Sequence, residues 1–343
     1  MEHILLRGRF SDCKIIIGEP MESVRNHIPD RQVYIVTDDN IYGLYRTSFP
    51  DFPVYVLKAG EKSKTLDSAA DICKWLMEHG AGRDAFLLGI GGGMVCDITG
   101  FTASIFMRGI GFGFAATSLL AQVDASIGGK NGVNLEGFKN MMGTFNQPHF
   151  VLCDTFMLQT LPEAELQNGL AEVVKHTLIS DKKMFMWIRE NIHKILQLDN
   201  ELINRLVSHS ITTKSEIVSR DEVEHGERRK LNLGHTWGHA VEKTDGIPHG
   251  QAVSIGLAFA ARLSEHKGIL TREERLLILD LLTSLGLPVI TRTDPAKVFQ
   301  ALVKDKKRES GHIHYVLMNG LGDVSVERIP LDELKQFALS KAH

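Results

Sequence analysis

The sequence predicts two domains of different class, an α/β domain over residues 1–162 and an all-α or mainly α-helical domain over residues 163–343. In the first half, short β-branched runs alternate with longer helical patterns, which is typical of a parallel sheet with crossover helices. From about Pro162 onward the apolar positions follow the helical period. Strand-like runs nearly vanish there until IHYVLM at 313–318.

Each element of the predicted α/β domain depends on a local pattern. The segment LDSAADICKWLMEHG at 66–80 repeats its apolar residues at helical spacing and predicts a crossover helix. A second helix is predicted in MVCDITGFTASIFM at 94–107. The predicted strands are KIIIG at 14–18, QVYIVTD at 32–38, PVYVL at 53–57 and AFLLGI at 85–90.

The amino-acid composition limits the classes of protein to which the chain can belong. The chain has 343 residues, 43% hydrophobic and 24% charged, which suits two packed globular domains. Its formal charge of -3 provides no general basic surface, so we expect neither a nucleic-acid nor a membrane partner. The 4 cysteines are scattered without a CxxC pair, which favours a reducing compartment. Charges interrupt the N-terminal apolar run, and no apolar run reaches about eighteen residues, so we expect a cytoplasmic protein without signal peptide or membrane span.

A glycine-rich turn follows the fourth predicted strand. Residues 91–93 are all glycine and precede a predicted helix, an arrangement that brings backbone N–H groups up to a pyrophosphate. Cys96 stands where a third glycine of the usual motif would be, so a simple tight turn is an equally good interpretation of this segment alone. Asp38 and Asn40, at the end of another predicted strand, favour the nucleotide interpretation. The first domain is therefore predicted to be Rossmann-like.

Histidines and a glutamate recur on helical patterns of the second domain. His235 and His239 are four residues apart and share a helix face, and His249 follows shortly after them. Upstream, Glu172 and Lys175 share a face of an otherwise apolar helix. Two imidazoles and one carboxylate suit a catalytic zinc ion, although any one of these histidines is more often structural. The residues alone leave open which two histidines bind metal.

Separated charges among glycines predict an anion-binding loop. The segment QVDASIGGKNGVNLEGFKNMMG at 122–143 alternates charged and amide residues with small ones, which favours a shaped loop over a solvated helix face. Cations and amides beside flexible backbone are typical of phosphate and carboxylate sites. The residues of this loop and its candidate neighbours are Arg108, Asp124, Lys130, Asn134, Lys139, Asn140, Lys214 and Arg228.

An ordered series of strings resembles the dehydroquinate synthase family of the sugar phosphate cyclase superfamily. The series runs through most of the chain and is specific as a whole. The strings are VTDDN, GEKSKT, GGGMVCDITGF, MRG, LLAQVDASIGGKNGVN, KNMMGTF, QTLPEAELQNGLAEVVKH, KSEIVSRDE, ERRKLNLGHTWGHAVE, PHG and DKK. The resemblance implies a nucleotide-binding α/β domain followed by a helical metal-binding domain.

The resemblance also implies ligands for NAD and for a divalent metal, zinc or cobalt. The implied metal ligands are Glu172, His235 and His249, which leaves His239 to the substrate. The implied NAD contacts are Asp38, Asn40, Glu61, Lys64, Gly92, Gly93, Met94, Asp97, Thr117, Ser118, Lys139 and Asn168.

Three further groups of residues are implied for the substrate. Those around the reacting carbons are Asp124, Lys175, Asn232 and His239. Those of the phosphate pocket are Arg108, Lys130 and Asn140, with the arginine reaching across a homodimer interface. Those for the substrate carboxylate are Lys214, Arg228 and one of Lys306 and Lys307.

The implied reaction is that of a carbon-oxygen lyase in the shikimate pathway to aromatic amino acids. It converts 3-deoxy-D-arabino-heptulosonate 7-phosphate to 3-dehydroquinate and phosphate. NAD oxidises a secondary hydroxyl, phosphate is eliminated, hydride returns, and the opened enolate closes by aldol addition. NAD is regenerated, so no net redox change is expected.

The sequence departs from the family pattern at Cys96, Ala116, Asn131 and Gln251. None of these is an implied ligand. Gln251 replaces a usual glutamate soon after a predicted metal ligand, and carboxylates near such histidines tune the metal. We therefore expect altered metal affinity with the chemistry retained.

Three alternatives remain open. A metal-dependent polyol dehydrogenase would need no phosphate or carboxylate pocket. Another sugar phosphate cyclase, acting on a substrate without a carboxylate, is disfavoured by Lys214, Arg228 and Asn232. A catalytically silent binding protein is disfavoured because the implied metal ligands, Lys175 and Asp124 are all present.

Overall fold

The structure is a computed structural model in which the chain divides into two compact units. It describes residues 1–9, 11–136, 138–305 and 311–340. The first unit comprises Met1–Pro162 and Asn200–Val223, and the second comprises Glu163–Asp199 and Glu224–His343.

The described residues contain strands β1 (Glu2–Leu6), β2 (Cys13–Ile17), β3 (Val33–Asp38), β4 (Val54–Leu57), β5 (Phe86–Gly91), β6 (Gly111–Ala116), β7 (Lys130–Leu135), β8 (Phe138–Phe145), β9 (Phe150–Cys153), β10 (His312–Gly320) and β11 (Asp323–Pro330). The α-helices are α1 (Asp39–Tyr45), α2 (Leu66–Glu78), α3 (Gly93–Ile105), α4 (Glu163–Ser180), α5 (Lys182–Leu196), α6 (Asn200–Arg220), α7 (His235–Asp245), α8 (His249–His266), α9 (Arg272–Ser284), α10 (Pro295–Asp305) and α11 (Leu331–Leu339).

The main sheet of the first unit has the strand order β1-β2-β9-β6-β5-β3-β4. All neighbours in it are parallel except β1 and β2. After β3 the chain moves outward to the edge strand β4 and then crosses back to β5, so the order reverses between β3 and β5. Ligands of open α/β sheets bind at such a reversal, beyond the carboxyl ends of the strands. Asp38 and Gly91 end the two strands there.

The predicted strands at 14–18, 32–38, 53–57 and 85–90 coincide with β2 to β5, and the predicted crossover helix coincides with α2. These predictions are confirmed. Strand β6, GFGFAA, was not predicted because its glycines lower the strand signal. A Cβ atom on Gly113 would lie 2.7 Å from the ring of Phe150, so glycine is needed there for the ring to pack against the sheet.

The segment at 122–143, predicted as a shaped loop, is largely regular. A short π-helical turn over Ala121–Ala125 is followed by the antiparallel hairpin of β7 and β8. Gly132 and Gly143 face each other in this hairpin, and a Cβ atom on Gly132 would lie 2.9 Å from the carbonyl oxygen of Met142. The loop prediction was wrong because these strands contain glycines and charged residues and few of the β-branched residues that usually indicate a strand.

Helix α6 packs with the first unit, although residues 200–223 were assigned to the second domain from the sequence. Ser208 Oγ donates a 2.5 Å hydrogen bond to Glu2, and Thr155 Oγ1 donates one of 3.0 Å to Asn204. Gln147 also donates to Glu222, just beyond the helix. The helical period identifies a helix here, but it does not say which domain covers the apolar face.

The second unit is mainly helical, as expected, but it is not all-α, because β10 and β11 form a two-stranded antiparallel sheet. Helix α8 is buried along almost its whole length. The start of α9 is fixed by a capping box between Thr271 and Glu274. No helix within the described ranges is both long and apolar enough to cross a bilayer.

Candidate active site

The glycine turn connects β5 directly to α3. Gly92 is the N-cap residue of α3. A Cβ atom on Gly91 would lie 2.6 Å from the side chain of Val95, so the first turn of the helix packs tightly against the end of the strand. The N–H groups of this first turn therefore lie at the carboxyl edge of the sheet, where a helix N-terminus attracts an anion.

The strands beside β5 bring further predicted nucleotide residues to this edge. Register pairs Thr37 of β3 with Ile90 of β5, and Gly91 of β5 with Ala116 of β6, so the three strands end side by side. Predicted residues at these strand ends are Asp38, Asn40, Gly92, Gly93, Met94, Thr117 and Ser118. Their roles remain predictions, but their common edge follows from the parallel sheet.

Asp38 already has a structural function. Its carboxylate accepts hydrogen bonds of 3.0 Å from the backbone N–H groups of Asn40 and Ile41, and thereby caps α1. Burial raises the pKa of Asp38 above its usual value, although these two hydrogen bonds oppose the shift. A ligand at this edge would meet a carboxylate with a fixed orientation.

A polar network links predicted nucleotide and phosphate residues of the first unit. Lys64 is buried and forms an ion pair with Asp97, and its Nζ also donates a 2.6 Å hydrogen bond to Asn140. Burial outweighs the attraction of Lys64 and raises the pKa of Asp97 to about 6. Asn134 accepts from the backbone N–H of Asn140 at 2.9 Å and donates to Glu61 at 2.8 Å. The hairpin and the edge of the sheet are thus fixed to each other through side chains.

The predicted anion ligands of the first unit fall into two environments. Lys214 is buried, and its Nζ lies 2.6 Å from the carbonyl oxygen and 2.9 Å from the carboxylate of Asp124. Arg108, Lys130 and Lys139 are exposed. Arg108 has a positive φ of 72°, a conformation that costs a non-glycine residue free energy and is often found at functional sites.

Helix α4 places charged side chains inside the second unit. Glu172 and Lys175 are 0% and 1% exposed and form an ion pair with each other. One helix turn earlier, Asn168 accepts a 3.1 Å hydrogen bond from the backbone N–H of Gly250, next to His249. Ionised groups are buried at this depth only where partners compensate the loss of hydration, so the pair marks a specialised site.

Two imidazole nitrogens lie close to the same oxygen of Glu172. Its Oε1 is 3.4 Å from Nε2 of His235 and 3.5 Å from Nε2 of His249. Tetrahedral zinc with bonds of about 2.0–2.2 Å places its ligand atoms about 3.3–3.6 Å apart, so both distances match the spacing of two ligands of one metal ion. All three donor atoms lie within 4.8 Å of one another. The sequence left the choice among the histidines open, and this geometry groups these two with Glu172.

The ring nitrogens of His235 and His249 that face away from Glu172 have different partners. Nδ1 of His235 lies 3.1 Å from the carbonyl oxygen of Leu233, and burial lowers the pKa of this histidine to about 3, so it is a neutral imidazole. Nδ1 of His249 lies 3.3 Å from a carboxylate oxygen of Glu242. Burial opposes charge on His249, but hydrogen bonds to Glu172 and Glu242 outweigh it and raise its pKa to about 9. A metal ion that binds Nε2 of His249 would displace the proton from this nitrogen.

His239 is exposed at the same cluster. Its ring centroid lies 5.2 Å from that of His235 and 6.0 Å from that of His249. Donor atoms of His239, Glu242 and His249 also lie within 4.8 Å of one another. Sequence reasoning did not identify Glu242, although its position seven residues after His235 on one helix was a usable signal.

Close contact of α7 with α8 brings the histidines together. A Cβ atom on Gly256 would lie 1.8 Å from the carbonyl oxygen of Gly234, and one on Gly238 would lie 2.8 Å from that of Ala252. Gly234 also has a φ of 77° immediately before His235. Glycines at the crossing therefore permit the short distance between the helices, and any side chain there would separate the ligands.

The remaining predicted substrate residues of the second unit that the structure describes lie within a short 3-10 helix over Glu227–Asn232. Arg228 is 2% exposed within it. Asn232 donates a 2.5 Å hydrogen bond to Glu224, which has a positive φ and was not identified from the sequence. Lys306 and Lys307 lie outside the described residues.

Comparisons with known proteins agree on one family. Family models described as the N-terminal and C-terminal parts of 3-dehydroquinate synthase match residues 54–168 and 169–308. A 3-dehydroquinate synthase of Acidithiobacillus ferrooxidans is 40% identical over 307 residues, covering 86% of this chain and 84% of that protein. One of Caldanaerobacter subterraneus subsp. tengcongensis is 40% identical over 326 residues, covering 91% of each. The chain belongs to the 3-dehydroquinate synthase family.

Several solved structures are similar in fold to this member of the 3-dehydroquinate synthase family. A 2-epi-5-epi-valiolone synthase from Streptomyces hygroscopicus, solved with NAD+ and Zn2+ bound, has a TM-score of 0.88 and 26% identity, covering 97% of both chains. A 2-deoxy-scyllo-inosose synthase complexed with carbaglucose-6-phosphate, NAD+ and Co2+ has a TM-score of 0.84 at 24% identity, covering 98% and 99%. An iron-containing alcohol dehydrogenase shares the fold at a TM-score of 0.65 and 13% identity.

Proposed function

We propose that this chain is a 3-dehydroquinate synthase, a lyase that converts 3-deoxy-D-arabino-heptulosonate 7-phosphate to 3-dehydroquinate and phosphate. Family membership supports the reaction. The structural observation that carries the proposal is the buried Glu172, with two imidazole nitrogens 3.4 and 3.5 Å from its Oε1. Such a donor set suits a catalytic divalent metal with a position left for substrate.

The described residues fit both cofactors that the family implies. The carboxylate and the two imidazoles of the second unit suit zinc or cobalt. The glycine turn and the N-terminus of α3 suit the pyrophosphate of NAD. When bound, NAD supplies reversible hydride transfer, and the metal supplies Lewis acidity toward the hydroxyl groups of the substrate.

The side chains of the chain itself would bind and orient the substrate. Lys214 and Arg228 are proposed to bind its carboxylate, because both are cations held in buried, fixed positions. Arg108, Lys130 and Asn140 are proposed for the phosphate. Orientation of a flexible substrate through several steps would then be the main catalytic contribution of these residues.

Asp124, Lys175, Asn232 and His239 are proposed for the reacting carbons. Lys175 is paired with Glu172, so its charge is placed beside the proposed metal site. His239 is the exposed histidine of the cluster, so it is proposed to contact the bound substrate directly.

A homodimer in the cytoplasm is part of the proposal. Apolar side chains are exposed on the β7–β8 hairpin, where Phe138, Met141 and Phe145 are 46%, 59% and 47% exposed. Exposed apolar patches of this kind are common at protein interfaces. Sedimentation should therefore give about twice the chain mass of 38.2 kDa, and a monomer would contradict the dimer.

All four cysteines are thiols, in keeping with a reducing compartment.

The test is phosphate release from 3-deoxy-D-arabino-heptulosonate 7-phosphate with NAD, measured with and without a chelator. We expect release that the chelator abolishes and that added zinc or cobalt restores. Release that is independent of metal would contradict the proposal.

A sister cyclase acting on a substrate without a carboxylate is the second candidate, favoured by the similarity in fold to the valiolone synthase. Arg228→Ala distinguishes the two. If the substrate carries a carboxylate, the variant should raise KM for the heptulosonate far more than for an analogue that lacks the group. Equal effects on both would favour the second candidate.

A further inference from the structure

The proposed metal ligands His235 and His249 are held by different kinds of hydrogen-bond acceptor. The nitrogen of His235 that faces away from Glu172 lies 3.1 Å from a backbone carbonyl oxygen. The corresponding nitrogen of His249 lies 3.3 Å from Oε2 of Glu242. Only the second contact can be removed by changing one side chain.

Glu242 reaches His249 from another helix. It lies seven residues after His235 on α7, at a spacing that returns to the same helix face, whereas His249 begins α8. Its side chain is 9% exposed, and that of His249 is 30% exposed. A carboxylate at this depth is costly unless it is hydrogen-bonded, so its position beside the imidazole calls for an explanation.

The chemistry of histidine ligation supplies that explanation. An imidazole that binds a metal through Nε2 carries its proton on Nδ1, and a carboxylate that accepts this proton fixes the tautomer and the ring orientation. It also increases the basicity of the ligating nitrogen. Gln251, two residues beyond His249, is neutral and lacks this effect, whereas Glu242 has the charge and the position.

We propose that Glu242 is a positioning residue, which orients His249 toward the metal by accepting the hydrogen bond from its Nδ1. The inference rests on the metal site of the proposed function and concerns its affinity and assembly. Glu242 is not itself placed in contact with substrate or metal.

The experiment compares Glu242→Gln with Asp245→Asn in the full chain. Asp245 is a matched control, because it lies on the same helix and accepts hydrogen bonds from Thr291 at 2.9 Å and from the N–H of Arg292 at 3.2 Å, with no role proposed at the metal. Each protein is stripped with chelator and titrated with cobalt, whose visible spectrum reports binding. Thermal unfolding of the stripped proteins measures stability separately.

We expect Glu242→Gln to weaken cobalt binding about 10–100-fold, the usual effect of removing such a carboxylate. Asp245→Asn should bind cobalt as the wild type does, even if it unfolds at a lower temperature. Glu242→Asp should recover part of the affinity. In the zinc-bound wild type, nitrogen NMR of His249 should show protonation at Nδ1.

Cobalt binding by Glu242→Gln within about twofold of wild type would overturn the inference, since the experiment resolves a tenfold change easily. Equal weakening by both variants would also overturn it, because a general loss of helix stability would then explain the result. Failure of the wild type to bind cobalt is a different outcome, which contradicts the metal site of the proposed function as well.

Discussion

The candidate sites of the two units consist of different chemical groups. In the first unit the glycine turn and the start of α3 present backbone N–H groups at aligned strand ends. In the second unit the site consists of side chains, with Glu172 and Lys175 almost wholly buried on α4. Backbone sites tolerate many side-chain changes, because the fold itself supplies the donors. A site of buried charges depends on a few side chains that no neighbour can replace. The two candidate sites should therefore respond differently to substitution.

The largest effect is expected from Glu172→Ala. The change removes a proposed metal ligand and also takes its carboxylate partner away from Lys175. Breaking a buried ion pair on one side costs about 3–5 kcal/mol, so the variant should unfold more easily and retain no metal. Chemical denaturation gives the first quantity, and metal analysis after dialysis gives the second.

The double variant Glu172→Ala with Lys175→Met is the control for that result. Replacing both charges also removes the ammonium that has lost its carboxylate partner Glu172, so part of the lost stability should return while metal remains absent. If the single variant kept its stability and its metal, the contrast between the two units would be lost.

Gly256→Ala should come next. A Cβ atom there would lie 1.8 Å from the carbonyl oxygen of Gly234, so α7 and α8 must separate. Overpacking of this kind costs about 1–3 kcal/mol or more, and displacement of His235 should weaken zinc binding at least about tenfold. Gly43→Ala, in α1, is the control, since nothing lies within 4 Å of its Cβ position. Unchanged zinc affinity in the first variant would show that the helix crossing does not set the ligand spacing.

Gly92→Ala tests the backbone site. The added methyl group would lie 3.3 Å from Ser118 Oγ, at the mouth of the glycine turn, where it would crowd a pyrophosphate. We expect NAD affinity to fall about tenfold, which is about 1.4 kcal/mol, with zinc affinity unchanged. Calorimetric titrations with each ligand measure both. A loss of zinc affinity equal to the loss of NAD affinity would contradict separate construction of the two sites.

The smallest effect is expected at a partly buried charge cluster near the surface of the first unit. Hydrogen bonds from His27 at 2.8 Å and His3 at 2.9 Å, outweighing partial burial, lower the pKa of Glu19 to about 2. A carboxyl with a lowered pKa in the folded state stabilises the protein above its ordinary value near 4.5, and loses that effect as the pH falls toward 2.

Glu19→Gln should therefore reduce the free energy of unfolding at neutral pH by no more than about 1 kcal/mol, since ion pairs near the surface are screened by water and contribute little. The difference from wild type should shrink as the pH falls through that range. Urea unfolding at several pH values checks this. A loss as large as that of Glu172→Ala would show that the difference in burial between Glu19 and Glu172 does not set the size of the effect.

Local patterns predicted most of the fold and the types of residue at the site, but not the contacts between helices. β-branched runs located β2 to β5. Strand β6 was not predicted because Gly113, which leaves room for the ring of Phe150, is not typical of a strand. Spacing of four residues placed His235 and His239 on one face of α7. The contact of Glu242 with His249 depends on the glycine crossing of α7 and α8, which periodicity does not reveal.

The pairing of Lys214 with Asp124 was not predicted from the sequence for the same reason. It follows from the packing of α6 with the first unit, and the sequence assigned that helix to the second domain. Periodicity reports that a face is apolar, while its partner is decided by the packing of the whole unit. Functional contacts between distant segments therefore had to come from the structure or from family resemblance.

The most direct test of the proposed chemistry supplies NAD in an amount far below that of the heptulosonate phosphate and measures phosphate and NADH together. We expect many phosphates released for each NAD present, without accumulation of NADH, because hydride returns to the same substrate. Release that stops after one phosphate for each NAD, with an equal amount of NADH formed, would contradict it.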